Sequence, residues 1–564
     1  MNLPFRGCVD DRLDDNDPRY NTKRSNRGKM SKEPTITFHG AAGTVTGSCM
    51  EIRYDGQGIL IDCGLFQGTR TLETLNYEPF PFDVATISAV LLTHAHIDHS
   101  GLLPKLVAAD YSGPIFCTAA TRDLLYHMLP DSGRIQEYEA QRRNRRKDRA
   151  GDAQIEPIYT EADALAAFDQ AHPIGFRQWF EPAPGFQARL WNAGHILGSA
   201  SVELEVGGRR LLFSGDLGPD HKAFHPDPEA PAGFDHVICE STYGDRVRED
   251  ITIEQRRTLL EAEIKAALTR GGNLIIPVFA LERTQELLLD IASLINSGRL
   301  PHPRVFIDSP LASRATEVFA KHAHHLEDMG NGEVFRHPSF HFVASAAESM
   351  RLNQMSGAII MAASGMCEAG RIRHHLRHNL GRRQSTILFV GFQAGGSLGR
   401  TIMDGADRVR ISGHDVAVRA QIRRLDSYSA HADQGALLRW IEARAPISGS
   451  LFLTHGETGS TEKLRRFAQA AEAAKTIVVP QIGECHALPM ASPARRTKTG
   501  KHELQDAANR DWQNDYAEFA TKLKQNLRNI ESASARREAL ARMGAVLQSY
   551  SDHRGARRLQ KHKH

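Results

Sequence analysis

The chain has 564 residues, with 70 Lys+Arg against 67 Asp+Glu, a formal charge of +3, 41% hydrophobic residues and 24% charged ones. That length exceeds what one hydrophobic core ordinarily supports, so two or more domains are expected. The near-neutral balance excludes a chain that announces a polyanionic partner by bulk charge. No apolar run approaches the roughly 18 residues that span a bilayer, so no membrane partner is expected.

Residues 1–33 are polar, lack the apolar core of a signal peptide and read as a disordered tail; Met30 just precedes the globular pattern, so residues 1–29 also fit an overlong gene model. The seven cysteines are dispersed with no C-x-x-C pair, which suits free thiols in a reducing cytoplasm. Residues 491–564 hold 16 Lys+Arg and 8 Asp+Glu, a surplus of +8 that leaves the remainder at −5.

From about Thr35 to Gly244 short strands alternate with glycine turns, and few helices are expected among them. Thr35–Phe38, Ser48–Arg53 and Gly58–Asp62 come first, the last placing Asp62 at a strand tip. The apolar run Ser88–Leu92 then reads as a buried strand leading into Thr93-His94-Ala95-His96-Ile97-Asp98-His99. Residues two apart on an extended chain point the same way, so His94 and His96 project together. Asp98 and His99 sit where the chain turns over, facing the same small volume. A lone His on such a strand is more often a packed core residue; three imidazoles and a carboxylate within six positions form a metal-ligand cluster. Gly101–Asp110 reads as a short helix below it. The basic run within Glu137–Arg149 reads first as a solvated helix face and second as a phosphate-contacting patch. Three more strand tips carry the same signature of apolar run, polar residue and small turn: His195 after Leu190–Asn192, Asp216 after Leu211–Gly215, and His455 after Leu451–Thr454.

After Gly244 the period changes. Ile253–Thr269 reads as a helix stopped by Gly271-Gly272. Strands at Asn273–Phe279, Arg304–Asp308, Gly357–Ala363 and Ser385–Phe392 then alternate with helices at Leu281–Ile295, Leu311–His324 and Gly370–Asn379, which predicts a parallel sheet covered on both faces. Val409-Arg410-Ile411 is expected to return the chain to the first unit. Two cap turns, Ala363–Arg371 with Ser364 and Arg371, and Gly391–Arg400 with Ser397 and Arg400, have the glycine, hydroxyl and arginine make-up that holds phosphate. In the tail, Trp512, Tyr516, Phe519, Leu523, Leu527 and Ile530 recur at helical spacing, an apolar stripe for packing on the body or a partner. Arg554–His564 is expected to fray.

This series resembles the metallo-β-lactamase fold, and the motifs Glu240-Ser241-Thr242-Tyr243-Gly244 and Tyr428-Ser429-Ala430-His431-Ala432-Asp433 narrow the resemblance to its β-CASP branch of RNA- and DNA-processing nucleases. The resemblance covers about residues 34–490. It implies an α/β protein: an αββα sandwich (34–247 and 403–490), an inserted parallel-sheet β-CASP cap (248–402), and a basic helical C-terminal extension (491–564). Two Zn2+ ions are implied, one held by His94, His96, His195 and Asp216, the other by Asp98, His99, Asp216 and His455. Asp62 would orient the site, and His431, held by Glu240, would be the general acid; with Asp98 these form the expected catalytic set. A ligand at 455 favours RNA over DNA, and a narrow cleft under the cap favours single-stranded RNA. A homodimer is a further expectation of the family. Ala369 and Glu282 depart from the family's glycine or small residue. Another hydrolase on this fold, such as a thioesterase, would lack the His431–Glu240 pair, and a non-catalytic RNA-binding scaffold would have lost ligands that this chain keeps.

Overall fold

The computed structural model describes residues 33–145, 154–223, 225–248, 251–301, 303–327, 332–391, 393, 397–500, 523, 527 and 529–560. Two sheets lie face to face. The first has eight strands in the order Arg495–Lys498, Cys485–Ala487, Thr35–Phe38, Met50–Tyr54, Gln57–Ile61, Ile87–Leu91, Ile115–Cys117 and Ala171–Pro173. The second has seven: Ala474–Val478, Ile447–Thr454, His236–Glu240, Arg209–Phe213, Ala200–Val206, Phe186–Asn192 and Phe180–Ala183. Thr35–Phe38 alternates half-buried and buried residues, sending Ile36 and Phe38 inward. His236–Glu240 is buried along its whole length, as a strand covered on both faces must be. Between the sheets, Phe38 and Phe452 meet with ring centroids 5.4 Å apart, in a core that includes Ile61, Leu91, Val202 and Phe213.

Helices close both outer faces. Leu103–Ala108, Ala119–Asn144 and Glu161–Asp169 cover the first sheet through Leu106, Leu124, Leu129 and Ala164. Gln434–Glu442 and Thr458–Ala470 cover the second through Leu437, Trp440 and Leu464. The result is the αββα layering anticipated above. The expectation of few helices before Gly244 misses the 26-residue helix Ala119–Asn144, which carries Pro130 and Gly133 in its interior. Both residues weaken a helical reading of the sequence. Gly133 is there for packing: a Cβ on it would lie 2.9 Å from the Glu161 nitrogen. Of the basic run, 146–149 fall outside the described residues, and Arg142 and Arg143 lie in the last turn of this helix.

A third sheet of six parallel strands follows the order Phe340–Phe342, Arg304–Ile307, Ala358–Ala362, Leu274–Pro277, Thr386–Phe389 and Gln421–Arg424. The helix Ile253–Thr269 begins with a reciprocal capping pair, Thr252 with Gln255. The chain does not leave this unit at 402. Val409-Arg410-Ile411 pairs antiparallel with His414–Ala417 instead of rejoining the sandwich, and Gln421–Arg424 forms the edge of the third sheet. That hairpin buries Val409 and Ile411 and exposes Arg408 and Arg410, so a local partner satisfies an alternation that sequence alone assigned to a distant one. Likewise Arg495–Lys498, placed by sequence in the extension, is an edge strand of the first sheet. Trp512, Tyr516 and Phe519 of the apolar stripe lie outside the described residues. The last described helix, Ala533–Gln560, includes 554–560 of the segment expected to fray, and 561–564 lie outside the described residues. No described helix is long and apolar enough to cross a membrane.

Candidate metal centre

Six strand tips converge on one edge of the sandwich. Leu91 ends a strand and Thr93, His94 and His96 follow, with Asp98 and His99 on the short helix Ile97–Ser100. His195 and Asp216 come through turns at Gly194 (φ +63°) and Gly215 (φ +58°). A Cβ at Gly215 would lie 2.8 Å from the Ala200 oxygen and 3.0 Å from the Thr93 Cβ, so only glycine lets the two sheets approach there. The parallel register of His236–Glu240 with Ile447–Thr454 sets Glu240 opposite Thr454, one residue before His455.

The donor atoms form two groups. His94 Nε2 and His195 Nε2 each lie 3.1 Å from His96 Nδ1, and each lies 3.6 Å from Asp216 Oδ2. On the other side, His99 Nε2 lies 3.1 Å from His455 Nε2 and 3.3 Å from Asp216 Oδ1, with Asp98 Oδ2 3.6 Å from His455 Nε2. The two oxygens of Asp216 thus face different groups.

Several outward nitrogens are committed elsewhere. His195 Nδ1 donates to the Ala430 carbonyl (2.9 Å), and His99 Nδ1 lies 2.7 Å from Asp62 Oδ2. With those protons placed outward, Nε2 of each presents a lone pair inward. Asp62 is fixed in turn by Ser48 Oγ, the Thr93 nitrogen and Thr93 Oγ1, at 3.0, 2.8 and 3.1 Å. Asp62 therefore orients His99 and is not itself among the inward donors. Ser48 and Thr93 were not singled out from sequence, where serine and threonine carry no distinguishing pattern.

The donor set fits divalent metal. The imidazole nitrogens of His94 and His195 lie 3.1 Å from that of His96, close to the roughly 3.3 Å edge of a tetrahedron with ~2.05 Å bonds. Burial pushes His94 and His195 well below their ordinary range and brings His96 to about 4, leaving neutral ligands at neutral pH. Burial also opposes charge on His99 and His455, but Asp216 outweighs it, with Asp62 beside His99 and Asp98 beside His455. Both are held above their ordinary range, the mark of a pocket that attracts positive charge.

Comparison with known proteins agrees with this geometry. The Metallo-beta-lactamase superfamily model matches residues 42–250, the Beta-Casp domain model residues 284–402, and the Zn-dependent metallo-hydrolase RNA specificity domain model residues 415–480. Ribonuclease TTHA0252 of Thermus thermophilus is 35% identical over 429 residues, covering 75% of this chain and 93% of that protein. The RNase J-like protein of Methanocaldococcus jannaschii is 29% identical over 429 residues, covering 75% and 92%. Transcription termination factor FttA of Methanosarcina mazei is 27% identical over 440 residues, covering 75% and 67%. The chain belongs to the β-CASP branch of the metallo-β-lactamase superfamily.

Other residues singled out from the β-CASP resemblance are placed as follows. His431 Nδ1 lies 3.2 Å from Glu240 Oε1, and its ring centroid is 4.5 Å from that of His195. Glu240 also accepts from the Leu217 nitrogen at 2.6 Å. The loop bearing His431 is tied down by Arg248, which donates to the His431 carbonyl (2.5 Å), and by Ala432, whose nitrogen donates to Leu217 O (2.7 Å). A cleft of about 4260 Å³ between sandwich and cap is lined by His96, Asp98, His431 and His455 on one side and by Ser364, Arg371, Ser397 and Arg400 on the other. The cap arginines have protein partners: Arg371 donates to Asp308 at 2.6 Å, and Arg400 Nε lies 2.9 Å from both carboxylate oxygens of Asp404. Ser397 caps the helix Leu398–Met403. Residues 394–396 of its loop lie outside the described residues.

Proposed function

We propose that this chain is a zinc-dependent ribonuclease that binds two Zn2+ ions and hydrolyses phosphodiester bonds of single-stranded RNA. The observation that carries this reading is the Asp216 carboxylate, one oxygen toward His94, His96 and His195 and the other toward His99 and His455, beside the His431–Glu240 pair. The ribonuclease names of the relatives and the RNA specificity match support RNA as the substrate.

In this reading His94, His96, His195 and Asp216 hold one ion and Asp98, His99, Asp216 and His455 the other. Bound there, divalent cations make water acidic enough to attack near neutral pH and offset charge on the phosphoryl oxygens. Asp62 keeps the His99 proton on Nδ1 and so keeps Nε2 a donor. His431 has Nδ1 taken by Glu240, so Nε2 of the protonated ring delivers the proton that the leaving oxygen needs. Ser364, Arg371, Ser397 and Arg400 are the proposed phosphate contacts along the cap wall, Arg371 held in place by Asp308. A pair of copies as the working assembly and a cytoplasmic location, which the six free cysteines among the described residues suit, belong to the same proposal.

The test is incubation of zinc-loaded protein with single-stranded RNA labelled at either end. The ladder from each label distinguishes endonucleolytic from 5′-to-3′ exonucleolytic attack. Asp98→Asn and His99→Ala are expected to abolish cleavage and release one zinc per chain. Two zincs and full activity in either variant would refute the ligand assignment.

A further inference from the structure

Between the metal centre and the cap lies a buried ionic cluster that the hydrolysis above does not use. Glu282 stands at the turn from Leu274–Pro277 into the cap helix Arg283–Asn296 and is 2% exposed. Its Oε1 lies 2.5 Å from Lys222 Nζ and 2.7 Å from His225 Nε2, both on the segment of the sandwich that follows Asp216. Lys222 Nζ also donates to the backbone carbonyl of His195 at 2.7 Å. A carboxylate of the cap is therefore one ammonium away from the main chain of a residue whose Nε2 faces the metal centre.

The backbone indicates that the carboxylate, and not the turn, is what this position requires. Glu282 has φ +67° and ψ −63°, and the Arg283 nitrogen donates to the Leu281 carbonyl at 2.8 Å, closing a three-residue turn of the rarer hand. A residue with a Cβ is strained in that conformation, and glycine is not. Glutamate thus carries backbone strain and a buried charge at one position, where glycine would carry neither. What it adds is the pair of bonds to Lys222 and His225, of which the one to Lys222 leads on to the His195 carbonyl.

We propose that Glu282 is a positioning residue through which the seated cap holds Lys222 on the His195 carbonyl, so that metal affinity depends on cap placement. This rests on the metal-centre reading above. The carbonyl of His195 has its lone pair occupied by an ammonium that is itself immobilised, and the opposite end of the same residue is held by the His195 Nδ1 bond to Ala430. Residue 195 is therefore held at its backbone carbonyl and at its ring Nδ1, the first of these through the cap. Groups that orient a metal ligand from outside commonly change metal affinity by 10- to 100-fold on removal.

The test uses the full-length protein and the variants Glu282→Gly, Lys222→Met and the double variant carrying both. Each apo protein is titrated with Zn2+ in competition with a chromophoric chelator, the visible spectrum of the Co2+ form is recorded, and melting temperature, kcat and KM on single-stranded RNA are measured. Both single variants are expected to bind metal at least tenfold more weakly, with an altered Co2+ spectrum and a larger fall in kcat than rise in KM. The double variant removes both buried charges, so its melting temperature is expected to recover while its metal affinity stays low. Should a single variant fail to fold, the double variant carries the test. Recovery of metal affinity together with melting temperature would overturn the inference, because the cluster would then act only on folding. Metal is read before RNA is added, so wild-type protein that binds metal but leaves RNA intact counts against the ribonuclease reading and not against this one.

Discussion

Replacing His431 with alanine tests the proposed proton delivery apart from metal binding. The His431 side chain is 20% exposed, belongs to neither imidazole donor group, and makes one carboxylate hydrogen bond, to Glu240 at 3.2 Å, while Asp216 Oδ2 lies farther from the same nitrogen, at 3.9 Å. Its removal is therefore expected to leave metal content unchanged and to cost less than about 1 kcal/mol of stability, as for a partly exposed site without a cavity. Loss of a positioned general acid slows a reaction by roughly 10²- to 10⁴-fold, about 3–5 kcal/mol of barrier. The assay is single-turnover cleavage of two RNAs, one natural and one with sulfur in place of the scissile leaving oxygen. A thiolate leaves without a proton, so His431→Ala is expected to lose roughly 10²-fold or more on natural RNA and to stay within about tenfold of wild type on the thio substrate. Equal losses on the two substrates with intact metal content would refute proton donation by His431 and leave it a structural part of the loop.

Removing metal with a chelator is expected to abolish cleavage and to lower the melting temperature, since an ion at 100 times its Kd stabilises the folded state by about 2.7 kcal/mol; an unchanged melting curve would argue against resident ions. Phe452→Ala empties the centre of the two-sheet core, where Phe452 is fully buried against Phe38, and is expected to cost about 3–5 kcal/mol in denaturant unfolding. Burial alone would raise the Glu282 pKa, but His225 and Lys222 draw it from the ordinary 4.5 down to about 2. A carboxylate with a lowered folded-state pKa contributes stability above its ordinary value and loses it as pH falls through the folded value. The Glu282 contribution, on the order of 3 kcal/mol, is therefore expected to fade between about pH 4.5 and 2. The stability gap between wild type and Glu282→Gln, followed across that interval, checks it; a gap independent of pH would refute the pairing.

Much of the candidate site was legible because the proposed ligands cluster at the ends of apolar strands, beside small turns, a pattern that survives without knowing how the strands pair. Pairing itself was less legible. Val409–Ile411 has the alternation of any half-buried strand, and nothing in it says that its partners lie three to seven residues away and not in the sandwich. Ala119–Asn144 was hidden by Pro130 and Gly133; the bare backbone of Gly133 lets the helix lie close against Thr160 and Glu161. Arg400 and Arg371 read alike as cations for phosphate, yet their pairings differ in visibility. Asp404 is one helical turn from Arg400 and within reach of a sequence rule, whereas Asp308 reaches Arg371 across 63 positions through the fold. Glu282 was visible only as a mismatch with the family pattern, and its meaning waited on Lys222 and His225.

The cap helix Arg283–Asn296 links these observations. Glu282, immediately before it, reaches Lys222 and through it the His195 backbone; Asp290, two turns along, accepts from Arg256, Arg257 and the Tyr428 hydroxyl, at 2.8, 3.0 and 2.8 Å. Tyr428 is three residues before His431. At 1.5 Å per residue the backbone positions 282 and 290 are about 12 Å apart along the helix axis, so in the proposed reading one element addresses the metal ligand His195 at one end and the proton donor His431 at the other. The two ends are separable by substitution. Asp290→Asn weakens the hold on Tyr428 and is expected to lower kcat on natural RNA while zinc content and the Co2+ spectrum stay as in wild type. Glu282→Gly is expected to change both. If Asp290→Asn also released metal, the helix would be acting as a single hinge for the whole cleft, and the division of labour between its two carboxylates would be wrong.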